Sequence, residues 1–155
     1  MSTEQTWQTE SIGLDNTLEI AMQIGHRLHG GEVIELVGDL GAGKTAFVRG
    51  LTEGAGSHDA VRSPSFTLSN HYRANKFTIR HFDFYRLDEP GLIEQELAEA
   101  LEDPQAVVII EWGGIAKAVL PPDRLVVRIT PTGETSRSLN FSCPNKLAYL
   151  LPERS

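Results

Sequence analysis

Between Asp15 and His29 the apolar residues Leu18, Ala21, Met22, Ile24, Gly25 and Leu28 recur at near-helical spacing, and Gly30-Gly31 ends the run. The pattern predicts a helix over 15–29. Val33–Val37 reads as a strand, a glycine-rich stretch follows it, and Lys44–Glu53 reads as the helix that the loop opens. Ser65–Tyr72 and Lys76–Tyr85 are rich in Phe, Thr, Ile and Tyr, and Arg73-Ala74-Asn75-Lys76 joins them, so a hairpin is expected. Pro90-Gly91 starts a second amphipathic helix, with Leu92, Ile93, Leu97, Ala100 and Leu101 on one side. Val107–Trp112 reads as a buried strand, Leu125–Ile129 and Ser138–Ser142 as further strands, Thr6–Thr9 as a short first one, and Pro144–Leu150 as a closing helical turn. Pro121-Pro122 and Thr130–Ser136 look like surface turns. Strands alternating with helices early, with a hairpin in the middle, predict an α/β sheet that is parallel in its core and mixed at one side.

At 155 residues the chain has room for one domain, so a single unit over 1–155 is expected. Hydrophobic residues at 40% and charged residues at 23% fit a folded globular chain. The formal net charge is −7, with no stripe of Lys and Arg. Phosphate neutralisation supplies most RNA affinity, so any nucleic-acid role is expected to run through a partner. Cys143 is the sole cysteine, which excludes an intramolecular disulfide and a cysteine-built zinc site. The polar amino terminus lacks a signal-peptide layout, and the longest aliphatic run, Val107–Ile110, is too short to cross a bilayer. A cytosolic location is expected.

The glycine-rich stretch is Gly38-Asp39-Leu40-Gly41-Ala42-Gly43-Lys44-Thr45, and each fixed position of Gly-x-x-x-x-Gly-Lys-Thr has a physical reason. Glycines let the backbone wrap round an anion. The exposed N–H groups and the helix start then aim partial positive charge at a phosphate. Lys44 is placed to reach the β and γ phosphates, and the Thr45 hydroxyl to complete a magnesium shell. ATP with Mg2+ is therefore the expected ligand pair.

Such a loop also needs a carboxylate at the end of a neighbouring strand, to hold magnesium or order the attacking water. Glu111 follows four aliphatic residues, and Asp83 follows the alternating run Ile79-Arg80-His81-Phe82. Both are candidates, weighed against plain solvated strand ends. Ser63-Pro64-Ser65-Phe66-Thr67 carries hydroxyls that suit a γ-phosphate sensor as well as a capped proline turn.

Four motifs occur in order: Gly-Asp-Leu-Gly-Ala-Gly-Lys-Thr (38–45), Ser-Pro-Ser-Phe-Thr-Leu (63–68), His-Phe-Asp-Phe-Tyr-Arg-Leu (81–87) and Ile-Glu-Trp (110–112). In these the chain resembles the bacterial ATPase family of tRNA threonylcarbamoyladenosine biosynthesis, the TsaE (YjeE) family. The resemblance runs from the first helix through Ile-Glu-Trp and thins after about Pro121. It implies a P-loop NTPase-like three-layer fold, with a mostly parallel central sheet and an antiparallel hairpin. It makes Lys44 the phosphate clamp and Thr45 a magnesium ligand, puts Glu111 at the metal and Asp83 as the second acid, and sets Trp112 beside the nucleotide. Ser65 stands where the family usually has threonine, and Gly113-Gly114 where relatives more often carry proline or an acidic residue. The implied role is an ATPase needed for repeated threonylcarbamoyl modification of adenosine 37. The implied partners are the threonylcarbamoyl transferase subunit and its inactive paralogue, with tRNA met only through them.

A small-molecule kinase is the main alternative, but the segment after Trp112 offers a lid only Arg124, Arg128 and Arg137. A nucleotide-gated binding module without turnover is another, against which Glu111 and Asp83 speak. His26 and His29 have a spacing a metal can use, but no third ligand is near in sequence. Asn145-Lys146-Leu147-Ala148 lacks the aspartate of a guanine-specificity motif. Phe82, Phe84, Tyr85 and Trp112 read as core rather than as a base-stacking platform.

Overall fold

A computed structural model describes residues 4–39, 41–61, 69–84, 91–111 and 120–152, with the backbone alone for 91–93. In chain order the elements are β1 Glu4–Ser11, α1 Leu14–His26, β2 Val33–Val37, α2 Lys44–Gly54, β3 Ser69–Arg73, β4 Thr78–Asp83, α3 Gly91–Glu102, β5 Ala106–Glu111, β6 Leu125–Pro131 and β7 Arg137–Pro144, closed by a 3-10 helix at Asn145–Leu150. They build a seven-stranded sheet in the order β1-β7-β6-β2-β5-β4-β3. The centre, β6-β2-β5-β4, is parallel. The β3–β4 hairpin at one flank and β7 and β1 at the other are antiparallel. The sheet is thus mixed at both sides, where a single mixed side was expected. The expected strand at Thr6–Thr9 lies within β1, but its antiparallel place on this flank was not expected, because EQTWQTES carries almost no hydrophobic signal and is held by backbone pairing to β7 over its whole length.

Alternation along the central strands splits the core into two layers. Ile34, Leu36, Ile79, Val107, Ile109 and Val127 face a cluster that takes in Ile20, Ala21 and Ile24 of α1 and Phe47, Val48 and Leu51 of α2. Val33, Val108 and Ile110 face the other way, towards Leu97 and Ala100 of α3 and towards Phe82 and Phe84. Helices therefore cover both faces of a central sheet, giving the three-layer α/β arrangement. Phe82 and Phe84 stack with centroids 6.3 Å apart and are fully buried, as core residues.

α1 and α2 meet backbone to backbone. A side chain at Gly50 would sit 2.5 Å from Ala21 Cβ and 2.7 Å from Leu18 O, and one at Gly25 would run into the carbonyl of Leu51. Three boundaries differ from the sequence reading for local reasons. α1 stops at His26 rather than His29 because the Glu32 carboxylate takes the N–H groups of His29 and Gly30, both at 2.7 Å, and the Tyr149 hydroxyl at 2.8 Å. Burial, then this bond to Glu32, pushes the Tyr149 hydroxyl pKa up. Lys76 and Phe77 form the hairpin turn instead of a strand, since Ala74 N–H donates to Phe77 O at 3.0 Å. Thr130 and Pro131 stay in β6, paired with Ser138 and Arg137.

Two outcomes follow. Gly25→Ala should lower unfolding stability by about 1–3 kcal/mol, because backbone cannot swing aside as a side chain does; a urea titration measures it, and an unchanged midpoint would show that the helices can separate freely. Cys143 is buried, and burial, then Glu4, pushes its thiol up to about 11. A raised pKa keeps the unreactive thiol form at neutral pH, so a disulfide-exchange reagent at pH 7 should label the protein only after denaturant is added.

Candidate functional site

β2 ends at Val37 and the chain turns at once into the loop. Gly41 and Gly43 hold φ of 80° and 108°, a region that side chains disfavour, so glycine is required there. Gly38 meets a different limit, since a Cβ would lie 2.8 Å from Ile129 O. Gly43 is the cap of α2, with its carbonyl taken by Phe47 N–H at 3.0 Å, so the helix starts at Lys44 with its first amides facing the loop. That arrangement suits an anion.

Lys44 is buried, and its Nζ donates to Gly38 O at 2.5 Å. Burial drives its pKa below the ordinary lysine value, while Glu111, Asp83 and Asp39 oppose that shift, in that order. The three carboxylates therefore lie within electrostatic reach of one ammonium. Parallel pairing explains how two of them arrive together. Asp83 ends β4, Glu111 ends β5, the two are register partners, and Glu111 in turn faces Leu36 of β2. Both acids thus stand at the carboxyl ends of adjacent parallel strands, where α/β sheets bind ligands. Thr45, in the first turn of α2, is half-buried.

Glu111 is nearly fully buried, and its Oε2 lies 2.5 Å from Nε2 of the fully buried His81. The other ring nitrogen of His81 lies 3.4 Å from the Tyr72 hydroxyl. His81 was given no role in the sequence reading, although the two-residue period puts it on the face of Ile79 and Asp83. Arg137 is a second omission. Its Nε donates to Ala42 O at 2.9 Å, and its Nη1 donates to Ser136 O at 2.8 Å, tying the start of β7 to the loop. No local pattern signals that contact, which spans 95 positions.

The structure brings together Gly38, Asp39, Gly41, Ala42, Gly43, Lys44, Thr45, Asp83 and Glu111 at one end of the sheet. Leu40, Ser65 and Trp112 lie outside the described residues, as do Ser63, Thr67, Tyr85 and Gly113-Gly114. A hydroxyl and two carboxylates are hard oxygen donors of the kind magnesium takes, alongside phosphate and water. Among the described residues no three His, Cys, Asp or Glu side chains form a metal cluster by themselves, so phosphate oxygens would have to complete such a site. His29 packs against the Tyr149 ring at 5.0 Å. Among the described residues no helix is long and apolar enough to cross a membrane.

A family model described as "Threonylcarbamoyl adenosine biosynthesis protein TsaE" matches residues 13–139. The chain belongs to the TsaE family. A Bacillus subtilis (strain 168) protein named tRNA threonylcarbamoyladenosine biosynthesis protein TsaE is 32% identical over 147 residues, covering 95% of this chain and 90% of the relative. A Rickettsia conorii protein of the same name is 35% identical over 125 residues, 79% of this chain and 70% of its own. The crystal structure of Bacillus subtilis YdiB superposes with a TM-score of 0.71 at 29% identity, over 97% of this chain and 93% of that one. The fold is thus that of the TsaE family, and the match to residues 13–139 extends beyond Pro121, where the resemblance read from the residues thins.

The buried pair makes a prediction. His81→Leu should cost about 3 kcal/mol of stability, because it strands the Glu111 carboxylate away from water without its partner. Double substitution, His81→Leu with Glu111→Leu, should recover part of that loss in the same urea titration. A single variant as stable as the parent would show that the pair contributes nothing.

Proposed function

We propose that this member of the TsaE family is a magnesium-dependent ATPase that supports threonylcarbamoyl modification of adenosine 37 in tRNA. The observation that carries the ATPase reading is the convergence of Lys44, Glu111 and Asp83 beside the glycine loop. The printed names of its relatives support the tRNA role.

In this reading the loop amides and the Lys44 ammonium hold the β and γ phosphates, with the phosphates taking over from the Gly38 carbonyl as the partner of Nζ. Magnesium, when bound, screens phosphate charge and orients the γ-phosphoryl group for in-line attack. Thr45 supplies a hydroxyl to that cation. Glu111 and Asp83 supply negative charge beside it and accept hydrogen bonds from the attacking water. His81 keeps the buried Glu111 side chain in one orientation, so little reorganisation is needed when charge develops.

The kinase alternative needs arginines free to clamp a transferring phosphoryl group. Arg124 is instead paired with the buried Glu35 at 2.9 Å and bonded to Pro121 O, and Arg137 is spent on the loop backbone. Groups supplied in trans raise rates by roughly 10³ to 10⁵ in other P-loop enzymes, and a partner is the proposed source of such a group here. The proposed partners are the threonylcarbamoyl transferase subunit and its inactive paralogue, with tRNA reached only through them. Their association is expected to weaken with salt, given the net charge of −7.

Lys44→Ala should remove most ATP affinity in a calorimetric titration, and parent-like binding would make the loop decorative. Glu111→Gln should bind ATP as the parent does yet release phosphate about 10²-fold or more slowly. For the assembly, phosphate release is measured with and without the purified transferase pair across a salt series. Stimulation that fades as salt rises is expected. Equal rates throughout, from protein shown to bind ATP, would remove support for the partner reading and raise that of the kinase.

A further inference from the structure

A diagonal of polar side chains crosses the apolar core from β3 to β5. Tyr72 on β3 is the register partner of Ile79 on β4. Two residues on, His81 is the partner of Ile109 on β5, and two residues on again comes Glu111. Steps of two keep strand residues on one face, so all three side chains share the face covered by α1 and α2. Diagonal neighbours on one face lie within reach of long and aromatic side chains. All three are buried.

Their polar atoms meet end to end. Glu111 Oε2 lies 2.5 Å from His81 Nε2, and His81 Nδ1 lies 3.4 Å from the Tyr72 hydroxyl. Asn70 Nδ2 donates to that hydroxyl at 3.3 Å, and Asn70 is itself the register partner of His81. The carboxylate accepts, so Nε2 carries a proton. In the neutral ring Nδ1 is then an acceptor, and the Tyr72 hydroxyl is the donor that fits it. This contact also decides which way round the ring sits. An imidazole flipped by half a rotation fills nearly the same space with carbon where nitrogen stood. The flip would take the ring nitrogens away from both the hydroxyl and the carboxylate, at the cost of two buried polar contacts. Packing alone asks only for the shape of phenylalanine at this position, and the hydroxyl adds the contact to His81.

We infer that Tyr72 is a positioning residue for the Glu111 carboxylate, acting through the His81 ring. This rests on the ATPase reading above, and deepens it by giving β3, the strand that follows Ser63–Thr67 in sequence, a hold on an acid of the site. Side chains that orient an acting group from one residue away change activity by about 10- to 100-fold when removed.

The test compares the parent with Tyr72→Phe, which keeps the ring and removes only the hydroxyl. Ile24→Val, which trims the same buried cluster from α1, is the control for lost packing. Each protein is read for melting temperature, for Mg-ATP affinity by calorimetry, and for phosphate release from radiolabelled ATP at saturation. Tyr72→Phe should bind Mg-ATP as the parent does and release phosphate about tenfold more slowly. Ile24→Val should release it at the parental rate, whatever small loss of melting temperature the two variants share. A second readout needs no nucleotide. In protein carrying isotopically labelled histidine, the His81 Nε2 proton should resist exchange with water in the parent and in Ile24→Val, and exchange faster in Tyr72→Phe. Parental phosphate release from Tyr72→Phe overturns the inference. Equal slowing in Ile24→Val also overturns it, because lost packing would then explain both variants, and so does a His81 proton equally protected in all three proteins. Parent protein that binds Mg-ATP yet releases no phosphate defeats the ATPase reading itself, and the inference with it.

Discussion

An ammonium group taken out of water at the start of a helix is the requirement round which this fold is organised. Lys44 is buried in a place where the helix start is already electropositive, so its charge is doubly unfavourable there. Glu111, Asp83 and Asp39 answer it. Two of these acids come from strands separated in sequence, and only the parallel order β2-β5-β4 ends them side by side next to the loop. A burden of negative charge then falls on Glu111, which is itself buried, and His81 relieves it from the neighbouring strand. The centre of the sheet is in this sense a chain of compensations, each residue explaining the burial of the next.

The flanks do different work. β3 and β4 are held to α3 through Glu96, which accepts from Ser69 Oγ at 2.7 Å and from Arg80 Nη2 at 3.1 Å. β7 and β1 extend the other side and bring Arg137 to the loop from outside the parallel core. The glycine loop is therefore bounded by the acids on one hand and by a strut on the other. The carbonyls of Gly38, Asp39, Ala42 and Gly43 are all taken within the protein, by Lys44 Nζ, Ala42 N–H, Arg137 Nε and Phe47 N–H.

Much of this was legible in the residues. The glycines of Gly-x-x-x-x-Gly-Lys-Thr pointed to a tight loop, and Val33–Val37 and Lys44 onward form the predicted strand and helix around it. Glu111 was readable because four aliphatic residues run straight into it. β1 was barely readable, since Gln5, Thr6, Gln8 and Thr9 give no apolar alternation and the strand depends on a partner more than 120 residues away. Arg137 was unreadable for the same reason: its role is a tertiary hydrogen bond to backbone, which leaves no trace in local composition. His81 lies between these cases. Its place in the alternation showed which face it occupies, but not that the neighbour on that face would be a buried acid. The end of α1 was overrun because Leu28 continues the apolar spacing, while a carboxylate four positions on takes the amides that another turn would have used.

The glycine contacts between α1 and α2 have a mechanical side. Side chains between two helices act as a compliant cushion, since rotamer changes absorb small shifts. Where Gly25 meets the backbone of Leu51, and Gly50 that of Leu18, there is no cushion. The two helices are bolted rather than padded along this stretch, so neither can shift there without the backbone of the other giving way.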